Sequence, residues 1–162
     1  MWPPREAAAA LHGWAREACR ATGGRLTRAD TIHLTLAFLG DVAEPRLEEL
    51  KALEIVGSRH FLPIVEARYW PHNRIVWAGP AEMPAPLGRL ADDLALSLNS
   101  KNFKTEKRQF AAHVTLIRNA HAPDGLPPLP RLRWPVDEVV LVESRPADAG
   151  RRYEVLRRYA LA

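Results

Sequence analysis

His33-Leu34-Thr35-Leu36 and His113-Val114-Thr115-Leu116 share one pattern, histidine, apolar, threonine, apolar, and stand about half the chain length apart in 162 residues. Six histidines, six threonines and 47% apolar residues lead to an expectation of roughly 0.05 such tetrapeptides in a chain of this composition. Two copies are therefore no accident of composition. Each lies in a short run rich in β-branched and apolar residues, Thr31 to Leu39 and Ala112 to Arg118, which the pattern predicts to be a strand. Side chains alternate faces along a strand, so His33 and Thr35 share one face while Ile32, Leu34 and Leu36 take the other. In the second copy His113 and Thr115 face away from the core together, and Ala112, Val114 and Leu116 face it.

Outward from these runs the chain alternates helix and strand. Pro3 and Pro4 open a first helix, since a proline in the first turn gives up no hydrogen bond the helix would make. Leu11, Trp14, Ala15 and Ala18 recur at helical spacing, and Gly23-Gly24 stops it. A second helix is expected from Glu44 to Val56, on a stripe of Leu47, Leu50, Leu53 and Val56. A third is expected from Pro86 to Asn99, on Leu87, Leu90, Ala91, Leu94 and Leu98. Further strands are expected at Phe61 to Trp70, Arg74 to Ala78, Asp137 to Ser144 and Arg152 to Tyr159, with Pro71-His72-Asn73 as a hairpin turn. His121 to Pro135, dense in proline, reads as an extended connection over the surface. Few strands are joined by the crossover helices a parallel sheet needs, so the class is α+β with mostly antiparallel pairing.

Composition narrows the setting. Apolar residues make up 47% and charged residues 26%, as in ordinary globular domains, which excludes a disordered or collagen-like chain. A single cysteine, Cys19, can form neither an internal disulfide nor a cysteine zinc site, and a reducing, cytoplasmic location is the reading that follows. Cys19 falls beside the apolar stripe of the first helix and reads as inert. The opening MWPPREAAAAL lacks the apolar core of a secretory signal, and no apolar stretch approaches the ~20 residues that span a bilayer. Lysine and arginine exceed aspartate and glutamate by 23 − 19 = 4, a mild excess that suits an anionic partner.

Repeated histidines and threonines suit chemistry at phosphorus. Near neutral pH one imidazole can act as base and the other as acid, while each threonine offers a hydroxyl to an oxyanion. If the two runs approach as symmetric neighbours, two imidazoles flank one anion, the arrangement for an in-line displacement. A metal site is the rival, but neither motif carries cysteine, aspartate or glutamate at ligand spacing, so no metal is assigned. His12, His60, His72 and His121 have no such partners and read as surface or capping residues. Lys101, Lys104, Lys107, Arg108, Arg131 and Arg133 flank the second motif and are candidates to guide a polyanion toward it.

Together with the runs HLTLAFLG, RQFAAHVTLIR and WPVDEVVLVES and the opening WPP, the motif pair resembles the two-histidine phosphoesterases. Within them it is most similar to the LigT-like RNA 2′,3′-cyclic phosphodiesterases, also called 2′-5′ RNA ligases. The resemblance spans nearly the whole chain. It implies a bilobal, pseudo-twofold α+β fold, a single domain over residues 1–162 of two interleaved lobes around a central cleft. It implies metal-independent opening of an RNA-terminal 2′,3′-cyclic phosphate to a 2′-phosphomonoester, with reversible 2′-5′ ligation as a side activity and no cofactor. By the same resemblance His33 is the proton donor, His113 the proton acceptor, and Thr35 and Thr115 hold the phosphate.

Arg118 stands where relatives carry a basic residue after the second motif. Strict alternation turns it away from His113, so a phosphate contact requires the strand to bend there. Phe110, an aromatic ahead of the second motif, is a candidate to stack on a base or to pack at the strand entrance. Two departures from the family pattern stand out: the sequence opens at Met1-Trp2-Pro3-Pro4 where the resemblance leads one to expect a hydrophobic strand first, which implies either an unusual or truncated start or an open sheet edge, and Ala112 replaces a frequent proline. RNA ends or nucleotides bearing the cyclic phosphate are the implied partners, with no membrane and no obligate protein partner. Two alternatives remain open from sequence, an RNA-end binding protein with a non-catalytic cleft and a phosphodiesterase for another cyclic or 2′,5′-linked nucleotide.

Overall fold

A computed structural model describes residues 1–106, 108–147 and 150–162. The first helix, α1 (Arg5–Thr22), forms behind Pro4 and buries the expected stripe of Leu11, Trp14, Ala15 and Ala18. It ends at Gly23 (φ +58°), followed by Gly24 at φ +89°. Glycine is required at 24 on two counts, because a Cβ there would suffer the left-handed backbone and would lie 2.5 Å from the Arg118 carbonyl oxygen. That close approach brings β1 (Arg25–Leu26) alongside the strand of the second motif.

In chain order the remaining elements are α2 (Glu44–Lys51), β2 (His60–Ile64), β3 (Glu66–Trp70), β4 (Ile75–Gly79), α3 (Ala85–Ser100), β5 (Val114–Arg118), β6 (Leu132–Val136), β7 (Glu138–Ala147) and β8 (Gly150–Ala160). They build a four-stranded sheet in the order β1-β5-β4-β3, a β2–β6 pair and a long β7–β8 hairpin, with antiparallel pairing throughout. The class is α+β, as the sequence implies. Helix α1 packs on β1 and β5, and α3 on β2. One core joins them, running from Leu11 and Trp14 through Val76, Ala78, Val114, Leu116 and Ile117 to Leu87, Leu90, Trp134 and Tyr159. The Tyr159 hydroxyl donates to the Leu50 carbonyl at 2.6 Å, which ties α2 to the hairpin.

Several elements differ from expectation, each for a local reason. The run Thr31 to Leu39 is not a regular strand: a 3-10 turn occupies Ala29–Thr31, and among the described residues only Leu34 forms a bridge, to Val114. On its other side the Leu34 backbone exchanges hydrogen bonds with Met1 alone, at 2.8 and 3.0 Å. Beyond Thr35 the backbone has no neighbouring strand among the described residues, so the ladder goes no further. Helix α2 stops at Lys51, short of Val56, which is 78% exposed. The chain there is drawn out instead, because Gly57 and Arg59 bond the backbone of Ala162. Phe61 to Trp70 divides at Val65 into β2 and β3, which join different sheets. The end of the proline-rich stretch is a strand after all, since β6 sits in a two-stranded pair where Pro135 opposite Phe61 still leaves an outer edge free. The two-residue β1 is too short to leave a periodic signal.

Candidate active site

The Leu34–Val114 bridge is antiparallel, and its two residues hold the same place in their motifs. A local twofold axis therefore passes between them. One step to either side sets His33 across from Thr115 and Thr35 across from His113, all on the face opposite the buried Leu34 and Val114. A quartet of two imidazoles and two hydroxyls follows from register alone. Three of its members are half-buried and Thr35 is exposed.

Arg118 reaches the same face by a β-bulge. Thr115 pairs with Trp77 and Ile117 with Val76, so Leu116 is an extra residue in β5. The bulge resets the alternation. Leu116 and Ile117 are both fully buried, and Arg118 emerges exposed on the side of Thr115, with Arg25 opposite it on β1. The strand does bend where the sequence reading required it to.

Both histidines are held in one orientation by the same local bond. Nδ1 of His33 lies 2.7 Å from the Thr31 carbonyl, and Nδ1 of His113 lies 2.8 Å from that of Ala111. A carbonyl only accepts, so Nδ1 carries the proton and Nε2 is left as the working nitrogen. His60 makes the equivalent bond to Ser58, which marks the contact as a habit of extended histidines. What distinguishes His33 and His113 is that they share a face.

Each catalytic candidate also stands against its own aromatic wall. His33 meets Trp2 and Tyr153 edge-on, with ring centroids at 5.3 and 5.1 Å. His113 meets Trp70 at 4.8 Å and Trp77 at 6.5 Å. The sequence reading missed Trp70, Trp77 and Tyr153. Trp77 was findable, being on the strand that pairs with the second motif, whereas Tyr153 arrives from a distant hairpin with no local signal. Burial among these rings pushes the His33 imidazole below its ordinary pKa of 6.5, and the nearby positive charges of the Met1 amine, Arg118 and His113 add to the effect. Its bond to Thr31 opposes them.

Other candidates fall elsewhere. Phe110 is half-buried and packs against the core. Lys101, Lys104, Arg108, Arg131 and Arg133 are exposed, with Arg108 paired to Glu106 and Arg133 lying over the Phe61 ring at 4.1 Å. Lys107 lies outside the described residues. Among the described residues no cluster of three histidine, cysteine, aspartate or glutamate side chains is placed to hold a metal ion.

Residues 2–77 match the family model of the LigT like phosphoesterases. An RNA 2′,3′-cyclic phosphodiesterase of Escherichia coli (strain K12) is 36% identical over 145 residues, which span 85% of this chain and 80% of the relative. The chain belongs to the LigT-like phosphoesterases. Another such relative, the RNA 2′,3′-cyclic phosphodiesterase of Thermus thermophilus, is 34% identical over 144 residues, 80% of this chain and 72% of its own. Among solved structures, E. coli LigT complexed with 3′-AMP superposes with a TM-score of 0.85 at 29% identity, covering 98% of this chain and 93% of that one. The LigT-like resemblance seen in the paired motifs thus extends to the whole fold. No helix among the described residues is long and apolar enough to cross a membrane.

Proposed function

We propose that this protein opens RNA-terminal 2′,3′-cyclic phosphates to 2′-phosphomonoesters, with His33 and His113 as an acid and base pair. The Leu34–Val114 bridge carries the reading, because it sets both imidazoles and both threonines around one point. The activity for which the relatives are named supports the substrate. Water between phosphorus and His113 gives its proton to Nε2 as its oxygen attacks in line. The P–O3′ bond breaks on the far side, and His33 protonates O3′. Thr35, Thr115 and the Arg118 guanidinium hold the non-bridging oxygens, where negative charge grows in the transition state.

The lowered pKa of His33 fits a group that is charged by its substrate. Free, the imidazole leans to neutral; an anionic phosphate beside it favours the protonated form the acid needs. No step calls on a metal, and attack on the cyclic phosphate by a 5′-hydroxyl in place of water, with the same proton transfers, is 2′-5′ ligation. The protein acts in this reading as a cytoplasmic enzyme on RNA ends. Incubation of the purified protein with a nucleoside 2′,3′-cyclic phosphate in excess EDTA tests it, with the 2′-phosphate as sole product. A 3′-phosphate product, or activity lost to the chelator, overturns it.

A further inference from the structure

We propose that Arg25 and Arg151 form a second phosphate subsite, which takes the phosphate on O5′ of the nucleoside whose cyclic phosphate lies in the quartet. The preferred substrate is then phosphorylated on both sides of one ribose, as the last residue of an RNA chain or as a free 5′-phosphorylated nucleotide. The inference rests on the roles proposed above for His33 and His113, and deepens them.

The floor of the subsite follows from register. β1 and the first motif lie in line against β5: Arg25 pairs with Arg118, Leu26 with Ile117 and Leu34 with Val114. The bulge turns Arg118 onto the face of Thr115, and Arg25, directly opposite, shares that face. Both are exposed, with Cβ atoms about 5 Å apart as in any directly opposed pair. Like charges so placed destabilise a strand pair, and a purely structural position would favour a carboxylate on one side. Among the described residues no carboxylate forms an ion pair with Arg25, Arg118 or Arg151. The reacting phosphate engages Arg118, which leaves Arg25 for a second anion.

β8 supplies the roof. Tyr153 meets the His33 ring at 5.1 Å, and at Gly150 a Cβ would stand 3.7 Å from Nη1 of Arg25. Three residues of strand, about 10 Å, therefore run from above His33 to above the Arg25 guanidinium. Arg151 lies between them, and alternation through a regular part of the β7–β8 ladder sets it on the face of Tyr153. It is exposed, and its Nη1 donates to the Ser144 carbonyl at 3.4 Å, a long bond that engages one corner of the fork. In-line displacement places O3′ toward His33, so the nucleoside that owns O3′ lies against Trp2 and Tyr153. In the other direction from Tyr153, β8 continues as Glu154 and Val155, with no cation to meet a phosphate. The cations thus point the 5′ end toward Gly150. A ribose is shorter than the span from Tyr153 to Arg25, and a phosphate on O5′ falls between Arg25 and Arg151, where two guanidiniums grip it.

The test compares kcat/KM for adenosine 2′,3′-cyclic phosphate, for the same nucleotide bearing a 5′-phosphate, and for adenylyl-(3′→5′)-adenosine 2′,3′-cyclic phosphate. It uses the native protein, R25Q and R151Q, with circular dichroism to show that each variant folds. A phosphate on O5′ raises kcat/KM of the native protein about tenfold or more, the scale of one charge-assisted bond, and R25Q and R151Q each remove most of that gain. A gain that depends on Arg25 and Arg151 supports the proposal: on the dinucleotide alone it assigns the subsite to the RNA chain, on the monophosphate alone to a free nucleotide, and on both to any phosphate on O5′. No gain in the native protein, a gain that either variant leaves intact, or equal losses on all three substrates each overturn it. Should no cyclic phosphate turn over, the parent reading fails, and calorimetric titration with adenosine 2′,5′-bisphosphate and adenosine 2′-phosphate decides the subsite. Binding of the bisphosphate at least tenfold tighter than the monophosphate in the native protein, and not in R25Q, supports it; equal binding overturns it.

Discussion

The two motifs carry the same residues in unlike settings. The second runs from His113 into β5, inside a four-stranded sheet, with Trp77 paired to Thr115 next to the bulge. The first is an extended passage that leaves a 3-10 turn, touches Val114 through Leu34 alone, and is backed by the single residue Met1. Near-identical tetrapeptides and the same Nδ1 bond give the two histidines one orientation. Burial among its rings, with the cations near it, lowers the pKa of His33. A symmetric sequence thus yields two imidazoles in unlike surroundings, because packing gives each copy its own environment.

Removing the imidazoles is the hardest blow to that contrast. H33A and H113A should each lower kcat about 10²- to 10⁴-fold with the fold retained by circular dichroism, and a variant near native rate breaks the pairing. Next come the hydroxyls. T35A and T115A should each cost about 10- to 100-fold in kcat, less than a buried oxyanion donor because Thr35 is exposed, and steady-state kinetics on a cyclic nucleotide reads it.

The pH profile sharpens the contrast further. Free His33 titrates below its ordinary 6.5, so one limb of the bell in kcat/KM should lie below pH 6.5. In R118Q one of the cations that lower the His33 pKa is gone, and the limb should move up while KM rises. A limb that stays put belongs to a group other than His33. The mildest effect is on stability: G24A should lower it by about 1–3 kcal/mol in urea titration, since the new methyl meets the Arg118 carbonyl.

Much of this was legible in the chain. Periodicity placed α1 and α3, and alternation placed the histidine and threonine of each motif on one face, because both signals depend only on near neighbours. The end of α2 was not legible, since Gly57 and Arg59 are drawn out by Ala162, about a hundred residues further on. The proline in β6 misled for a related reason: whether a proline is tolerated depends on which edge the strand presents, and pairing decides that. At the site, the four histidine and threonine positions came from pattern alone. Trp2 and Tyr153 converge on His33 only through tertiary packing. Arg118 was half legible, its residue type from sequence and its direction only from the bulge.

That extra residue acts as a reading frame within β5. Straighten the bulge with the count unchanged, and strict alternation turns the Arg118 side chain toward α1 and Ile117 toward the face of the quartet. Delete one residue between Thr115 and Arg118 together with the bulge, and the guanidinium keeps its face. The spacing of five from His113 to Arg118 and the bulge between them are thus one quantity, and neither can change without the other.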